Sequence, residues 1–193
     1  MEGLKIIIAD DEALIRLDLR EMLTEAGHTV LGEASDGEEA VELARRLKPD
    51  LVIMDVKMPK MDGITAAGII TGQHIAPVLL LTAYSQQDVV ERANSSGVMA
   101  YLVKPVREEQ LFATMQVAIA RFKEYQKMDS ELAGLRESLE TRKLLDRAKG
   151  ILRAAHGFTE DEAYSKMRQY SMNRRITLKE LAEAVIASAE KKK

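Results

Sequence analysis

The 193-residue sequence contains no cysteine. This absence excludes disulfide frameworks and thiolate metal sites, so any chemistry must use carboxylates, hydroxyls, amines or the three histidines. We expect a reducing, cytoplasmic location. Long apolar runs are also missing, since no stretch approaches the roughly 20 residues that span a membrane. The opening MEGLKIIIADDE has too short an apolar run and too thin a basic flank for a signal peptide. We therefore expect neither a targeting signal nor a membrane partner.

The two halves of the chain differ in charge. Up to Arg121 there are 12 Lys and Arg against 19 Asp and Glu, a net charge of −7. From Phe122 onward there are 16 against 12, a net charge of +4. A basic segment behind an acidic one indicates a tail that binds polyanions. Solvated faces of ordinary helices would give the same balance, so both interpretations stay open at this point.

Between Leu4 and Lys104, short apolar runs alternate with amphipathic stretches. The apolar runs are LKIIIAD, HTVLGEA, DLVIMD, PVLLLTA and MAYLVKP. The stretches between them are EALIRLDLREMLTEAG, DGEEAVELARRLKP, GITAAGIITG and QQDVVERANSSG. Near-continuous apolar strands separated by helical periods predict an α/β fold, a five-stranded doubly wound parallel sheet. In the first helix, the stripe predicted to pack on the sheet is Leu14, Leu17, Met22 and Leu23.

After Pro105 the pattern becomes purely helical. Apolar residues recur at spacings of four and three in two series. The first series is Leu111, Met115, Ala118, Phe122 and Tyr125, and the second is Met128, Leu132, Leu135 and Leu139. Two heptad stretches joined by a stammer predict a long helix that pairs in a coiled coil. We assign residues 121–138 to this dimerisation segment, and the alternative is a helix that lies on its own domain.

The last part of the chain, residues 139–193, is predicted to form a small three-helix domain. Gly157 is typical of a helix C-terminus. Thr159 with Glu162 and Thr177 with Glu180 each form a capping box, so each pair predicts the start of a helix. The expected core consists of Leu145, Ile151, Leu152, Phe158, Ala163, Met167, Met172, Leu178, Leu181 and Val185.

Polar residues follow four of the apolar runs. They are Asp10 and Asp11, Asp55, Thr82, and Lys104. The carboxyl ends of parallel strands lie at one edge of a sheet, so these residues are expected in one pocket. Crowded carboxylates repel one another and favour a hard cation such as Mg²⁺. A carboxylate beside that cation can attack phosphorus to give an acyl phosphate, and Asp55 is the natural nucleophile because it stands alone. Taken singly, each residue would be an ordinary polar strand cap.

Residues 4 to about 120 resemble the receiver domain of two-component response regulators, a flavodoxin-like fold, through the motifs DD, MDVKMPKMDG, LTAY and YLVKP. The resemblance implies phosphorylation by a sensor histidine kinase and a domain over residues 1–120. It implies these roles: Asp55 is the phospho-acceptor, Asp10 and Asp11 bind magnesium, Thr82 contacts the phosphoryl group, Tyr101 is the aromatic switch, Lys104 is the family's lysine, and Lys57 offers its backbone carbonyl to the metal. It also implies a cis bond before Pro105.

An enzyme that turns over phosphoryl groups is the competing interpretation of this pocket. Haloacid-dehalogenase phosphatases also use magnesium and an Asp nucleophile at a strand end. Their pattern places a second Asp two residues after the first, and that position is Lys57 here. We therefore expect a switch and not an enzyme.

Basic residues are concentrated in the predicted three-helix domain. They are Arg142, Lys143, Arg147, Lys149, Arg153, Lys166, Arg168, Arg174, Arg175 and Lys179. With Tyr164 and Tyr170 nearby, they could neutralise phosphates and stack on unpaired bases. The alternative is that several form intrahelical pairs, such as Arg142 with Asp146, and that the tyrosines belong to the core.

Residues from about 135 to 190 resemble the ANTAR domain, the three-helix RNA-binding unit of transcription antitermination regulators. The most specific part is RAKGIL followed by G-x-T-E-x-E-A-Y. With the receiver, this resembles two-component antiterminators of the ethanolamine-utilisation type. The resemblance implies binding to paired RNA stem-loops, with Arg142, Lys143, Arg147, Lys149, Arg153, Arg174 and Arg175 as the contact residues, and a homodimer formed on phosphorylation. A DNA-binding regulator and a receiver with a protein-binding tail remain as alternatives.

Overall fold

The computed structural model describes residues 3–83 and 98–190. The chain divides into two compact units, Met1–Lys127 and Met128–Lys193. The predicted helix QQDVVERANSSG and the last residue of the LTAY motif lie outside the described residues. Within the described ranges, no helix combines the length and the apolar character needed to cross a membrane.

The first unit contains the predicted parallel sheet of five strands. They are β1 (Lys5–Ala9), β2 (Thr29–Ala34), β3 (Leu51–Asp55), β4 (Val78–Thr82) and β5 (Ala100–Val103). All four strand pairs are parallel. Their order across the sheet is β2-β1-β3-β4-β5. The order places β1, β3 and β4 in the interior, which explains why these segments read as continuous apolar runs.

Three helices connect these strands: α1 (Ala13–Glu25), α2 (Gly37–Leu47) and α3 (Gly63–Gly72). Side-chain caps fix where two of them begin. Asp36 accepts a hydrogen bond from the Glu39 amide at the start of α2, and Asp62 accepts one from the Thr65 amide at the start of α3. Each cap satisfies a backbone donor that the helix itself leaves unpaired.

Alternate residues of the strands supply two cores, one on each face of the sheet. Ile7 and Val52 contribute to the core that includes residues of α2 and α3. Ile6 and Ile53 contribute to the opposite core, which includes Leu19 of α1. A sheet covered on both faces confirms the doubly wound fold predicted from the sequence.

The predicted stripe on α1 is partly wrong. Leu14 and Leu17 are 75% and 48% exposed, and the buried residues of this helix are Leu19 and Leu23. Leu14 and Ile15 are neighbours in the sequence, and each can begin a stripe of apolar residues at helical spacing. The stripe that packs on the sheet begins at Ile15, four residues before Leu19.

One helix, α4 (Glu108–His156), runs for 49 residues. In the first unit Leu111, Met115, Ala118 and Phe122 are buried among the core residues of the sheet. Four of the five members of the first series therefore pack on their own domain, as the alternative interpretation of this helix has it, while Tyr125 is 36% exposed. All four members of the second series are more than half exposed, namely Met128, Leu132, Leu135 and Leu139. We call these four residues the exposed stripe.

The second unit contains the end of α4, α5 (Glu160–Arg174) and α6 (Leu178–Glu190). Both predicted capping boxes are confirmed. The Thr159 amide donates to Glu162 at 2.8 Å, and the Thr177 amide donates to Glu180 at 2.7 Å. Gly157 has the positive φ of 72° typical of a helix end.

The core of this small domain differs from the prediction at a few positions. Met172 is 70% exposed and was wrongly included, because it lies one residue beyond the buried Ser171 in the last turn of α5. Ala148, Ala182 and Ile186 are buried there instead. The two alanines were missed because small side chains give little apolar signal in the sequence.

Candidate functional site

The carboxyl ends of four strands bring the predicted pocket residues together. Asp10 follows β1, Asp55 ends β3, Thr82 ends β4 and Lys104 follows β5. Because neighbouring strands are parallel and in register, these ends meet at the same edge of the sheet. We call this group, with Asp11, the acidic pocket.

Lys104 connects the two buried carboxylates of the acidic pocket. Its Nζ lies 2.7 Å from Asp10 Oδ2 and 2.6 Å from Asp55 Oδ1. Asp10 is fully buried and Asp55 is 6% exposed. One ammonium therefore offsets two carboxylates that water reaches poorly, and their mutual repulsion remains only partly compensated.

The pKa values of the central pair follow from this geometry. Burial raises the pKa of the Asp55 carboxyl, and the Asp10 charge adds to this, against the lowering influence of Lys104. For Lys104, burial alone would lower the pKa, but hydrogen bonds to Asp10 and Asp55 outweigh it and the net pKa is raised. Lys104 therefore stays an ammonium ion. Ionised Asp55 is destabilised by its burial and by the charge of Asp10, and a bound cation would reduce this destabilisation.

Backbone amides aim the remaining carboxylate oxygens. The Lys57 amide donates to Asp55 Oδ2 at 2.7 Å, and the Glu12 amide donates to Asp10 Oδ1 at 3.0 Å. These bonds fix one oxygen of each side chain, and Lys104 contacts the other. Lys57 thus lies directly beside Asp55, with its side chain exposed.

A third acid joins the predicted magnesium ligands. Asp10, Asp11 and Glu12 each offer an oxygen within 4.8 Å of the others. Asp10 is buried, while Asp11 and Glu12 are exposed. Oxygen ligands at this spacing suit a hard divalent cation that keeps several waters. Glu12 is the residue directly after the predicted ligands Asp10 and Asp11, in the string DDE.

Thr82 and Tyr101 lie on neighbouring strands but in different surroundings. Thr82 is 4% exposed at the end of β4, and its carbonyl accepts a hydrogen bond from the Lys104 amide at 2.8 Å. Tyr101 on β5 is 45% exposed. Thr82 is therefore buried where β4 ends, whereas Tyr101 is partly exposed on the neighbouring strand.

An ion pair that the sequence analysis missed anchors the loop after β3. Lys60 Nζ lies 2.6 Å from Asp36 Oδ2, and the Asp36 side chain is nearly buried. The bond to Lys60 is the main reason that the pKa of Asp36 is lowered. The Gly37 amide also donates to the Met61 carbonyl. These contacts attach the loop that carries Lys57 to the start of α2.

The basic residues of the second unit fall into two groups. Five have side-chain partners: Lys143 lies 3.9 Å from Glu140, Arg147 lies 2.8 Å from Glu190, Lys149 contacts two acids, Lys179 lies 3.6 Å from Glu137, and Arg174 lies over the Tyr170 ring. Arg175 caps α5 in the left-handed conformation. Within the described ranges, no carboxylate forms an ion pair with Arg142 or Arg153.

Asp146 pairs with Lys149 and not with Arg142. The Lys149 Nζ lies 2.8 Å from Asp146 and 2.7 Å from Glu160, and its side chain is only 15% exposed. These two hydrogen bonds raise the pKa of Lys149. The intrahelical pair proposed for Arg142 is therefore wrong, and the charge of Lys149 is already neutralised within the domain.

Two family models match this chain. The response regulator receiver domain matches residues 6–116, and the ANTAR domain matches residues 133–186. The first match covers all the residues of the acidic pocket, and the second covers the ten basic residues named in the sequence analysis.

Individual proteins show the same division. The transcriptional regulatory protein PdtaR of Mycobacterium tuberculosis is 54% identical over 182 residues, which are 94% of this chain and 89% of that protein. The chemotaxis protein CheY of Thermotoga maritima is 39% identical over 110 residues, which are 56% of this chain and 92% of that protein. The structure of the receiver domain of NarL from Mycobacterium tuberculosis has a TM-score of 0.56 at 28% identity, and covers 60% of this chain and 98% of that one.

Proposed function

The chain belongs to the response regulators that join a receiver domain to an ANTAR domain, and from this we propose that it is a phosphorylation-controlled RNA-binding antiterminator. Membership of this family indicates a regulatory protein rather than an enzyme. A receiver implies a histidine kinase as its partner, and an ANTAR domain implies RNA binding. The observation that carries the proposal is the presence of the complete acidic pocket and a basic helical domain in one chain.

The input is phosphorylation of Asp55. One of its carboxylate oxygens attacks the phosphorus of a phosphohistidine, the phosphorus–nitrogen bond breaks, and the imidazole leaves. Receiver domains bind Mg²⁺ at an acidic pocket of this kind, and Asp10, Asp11, Asp55 and the Lys57 carbonyl would hold it here. The bound ion would offset negative charge on the transferring oxygens. Lys104 adds a positive charge at 2.6 Å from the nucleophile.

The switch uses the hydroxyl and the ring next to the pocket. Thr82 is positioned to contact the phosphoryl group on Asp55, because it ends the strand adjacent to β3. Movement of Thr82 would also shift the end of β5, because the amide of Lys104, the residue after β5, donates a hydrogen bond to the Thr82 carbonyl. We assign the response to Tyr101, whose exposed ring can change its position at small cost. Such a change biases a two-state equilibrium of the whole chain.

Dimerisation through the exposed stripe is the proposed consequence. Changing Leu135 to Glu is expected to weaken phosphorylation-induced dimerisation at least about tenfold, because a carboxylate would replace a buried leucine at a coiled-coil seam. Sedimentation equilibrium of the phosphorylated protein measures the dissociation constant. Leu14→Glu is the matched control, since Leu14 is also an exposed helical leucine but lies on α1, outside the stripe. Equal dimerisation of the two variants would rule out the stripe as the interface.

The output is binding to two adjacent RNA hairpins. A dimer carries two ANTAR domains, so the second hairpin binds at a high effective concentration once the first is held. Among the predicted contacts, Arg142, Arg153 and Arg175 have guanidinium groups with neither an ion pair nor a ring contact within the described residues, so these groups are available to phosphate. Binding of both hairpins would keep the RNA from forming a terminator hairpin.

A gel-shift assay separates RNA output from the alternatives. The phosphorylated protein is mixed with a two-hairpin leader RNA or with duplex DNA of equal charge at several salt concentrations. We expect strong preference for the RNA, with an affinity that falls as salt rises because phosphate contacts release counterions. Preference for duplex DNA would favour a DNA-binding regulator, and binding to neither would favour a protein-binding tail.

A further inference from the structure

The second unit contains a groove between α4 and α5 with a cavity volume of about 530 Å³. This volume lies within the range of small-molecule sites, roughly 300–1,000 Å³. Its walls carry both charged and aromatic side chains. All of its lining residues belong to the second unit, so the groove is a feature of the ANTAR domain itself.

An exposed aromatic ring forms one wall of the groove. Tyr164 on α5 is 42% exposed and lines the cavity. A core tyrosine would be buried, so the core interpretation of this residue does not hold. An exposed ring beside basic residues offers a surface on which a base can stack.

Another lining residue, on α4, has no side chain. Gly150 lines the cavity, and a Cβ added there would meet no atom within 4 Å. Packing therefore does not require glycine at this position, although glycine in a helix interior is less favourable than alanine. The missing side chain keeps the floor of the groove bare, so a flat ligand can approach the helix backbone.

The charges of the groove are arranged in two parts. At its centre, Lys149 is neutralised by Asp146 and Glu160. These groups still offer hydrogen-bond donors and acceptors to the polar edge of a bound ligand. Towards its ends lie Arg142 and Arg153, which are 11 positions apart and hence about 16 Å apart along the helix. That distance is greater than the separation of successive phosphates on one strand, so the two guanidinium groups fit phosphates of the same strand that are separated by more than one nucleotide.

We propose that this groove binds one unpaired nucleobase of the target RNA. The base stacks on Tyr164 above Gly150, its polar edge meets the Lys149–Glu160 pair, and flanking phosphates contact Arg142 and Arg153. The assignment rests on the proposed RNA-binding function and identifies the part of the RNA that is read. A paired base cannot enter, because stacking on Tyr164 requires a free face.

The test uses the full-length protein labelled with ¹⁵N and titrated with AMP, GMP, CMP and UMP, each at millimolar concentration. Ribose 5-phosphate, which lacks a base, is the control ligand. We expect a saturating shift of the Gly150 amide resonance with at least one nucleotide and none with ribose 5-phosphate. Equal shifts with the control would mean that the groove binds phosphate alone, and no shift with any nucleotide would overturn the proposal.

Variants connect the groove to RNA. Tyr164→Leu is expected to weaken binding of the two-hairpin RNA by about tenfold, the order that one base–aromatic stack contributes, whereas Tyr164→Phe should retain the affinity. Gly150→Gln, which fills the groove, should weaken it similarly, and Ala154→Gln provides the control because Ala154 is an exposed small residue of α4 that does not line the groove. Unchanged RNA affinity in Tyr164→Leu and Gly150→Gln would refute the groove but leave the proposed function standing. Nucleotide binding at Gly150 without RNA binding by the wild type would refute the function instead.

Discussion

Changing Asp55 to Asn is expected to reduce acyl-phosphate formation at least about a thousandfold, because an amide is not a nucleophile towards phosphorus. The measurement is the fraction of phosphorylated protein after incubation with acetyl phosphate and Mg²⁺, read from a gel that retards phosphoproteins. Asp62→Asn is the matched control. Asp62 begins α3 as a cap, and asparagine caps a helix as well as aspartate does. Phosphorylation of Asp55→Asn at the wild-type rate would place the acceptor elsewhere.

In a buffer with a chelator that removes metal ions, Asp55→Asn should be at least as stable as the wild type. The folded-state pKa of Asp55 is raised, so the fold disfavours its ionised form relative to the unfolded chain. That penalty is present when the pH is above the ordinary carboxyl pKa and disappears as the pH falls below it. Asparagine removes the penalty, and Lys104 keeps Asp10 as a partner. We therefore expect the free energy of unfolding in urea at pH 7 to stay equal or rise.

Changing Gly63 to Ala is expected to cost the receiver domain about 3 kcal/mol or more of its unfolding free energy. A Cβ at Gly63 would lie 1.9 Å from the Asp55 carbonyl oxygen and 3.2 Å from the Val56 Cα. Both atoms belong to the backbone and cannot rotate away. The Gly63 amide also donates to the Val56 carbonyl, so α3 starts in direct contact with the end of β3. Urea unfolding, followed by the far-ultraviolet circular dichroism signal, measures the loss.

Gly72→Ala supplies the comparison within the same helix. A Cβ at Gly72 would meet nothing within 4 Å. This change should leave the free energy of unfolding unaltered or raise it by up to about 1 kcal/mol, since alanine favours the helix. If both variants unfolded at the same urea concentration, close approach of α3 to β3 would not be what requires glycine at position 63.

Much of the fold could be predicted because its determinants are local in sequence. The apolar runs, the polar residue after each run, and the capping boxes at Thr159 and Thr177 each depend on neighbours within a few positions. Parallel topology then placed Asp10, Asp55 and Lys104 at one sheet edge. No distance was needed for that step, because the ends of parallel strands coincide.

The errors arose where one pattern fits two arrangements. The spacing of Leu111 and Met115 is the same in a coiled coil and in a helix packed on a sheet, and only the position of the sheet decides between them. On α1, Leu14 and Ile15 begin two alternative stripes. The pair of Lys60 with Asp36 joins residues 24 positions apart, so no local pattern indicates it.

The most direct test of the account is the affinity of the full-length protein for a two-hairpin RNA with and without beryllofluoride and Mg²⁺, which together mimic the acyl phosphate. Fluorescence anisotropy of labelled RNA gives the dissociation constant, with Asp55→Asn as the unresponsive control. We predict at least about tenfold tighter binding with the mimic, within the usual range of coupling between two sites, and a smaller gain for a single hairpin. Equal affinity with and without the mimic would contradict a phosphorylation-controlled RNA switch.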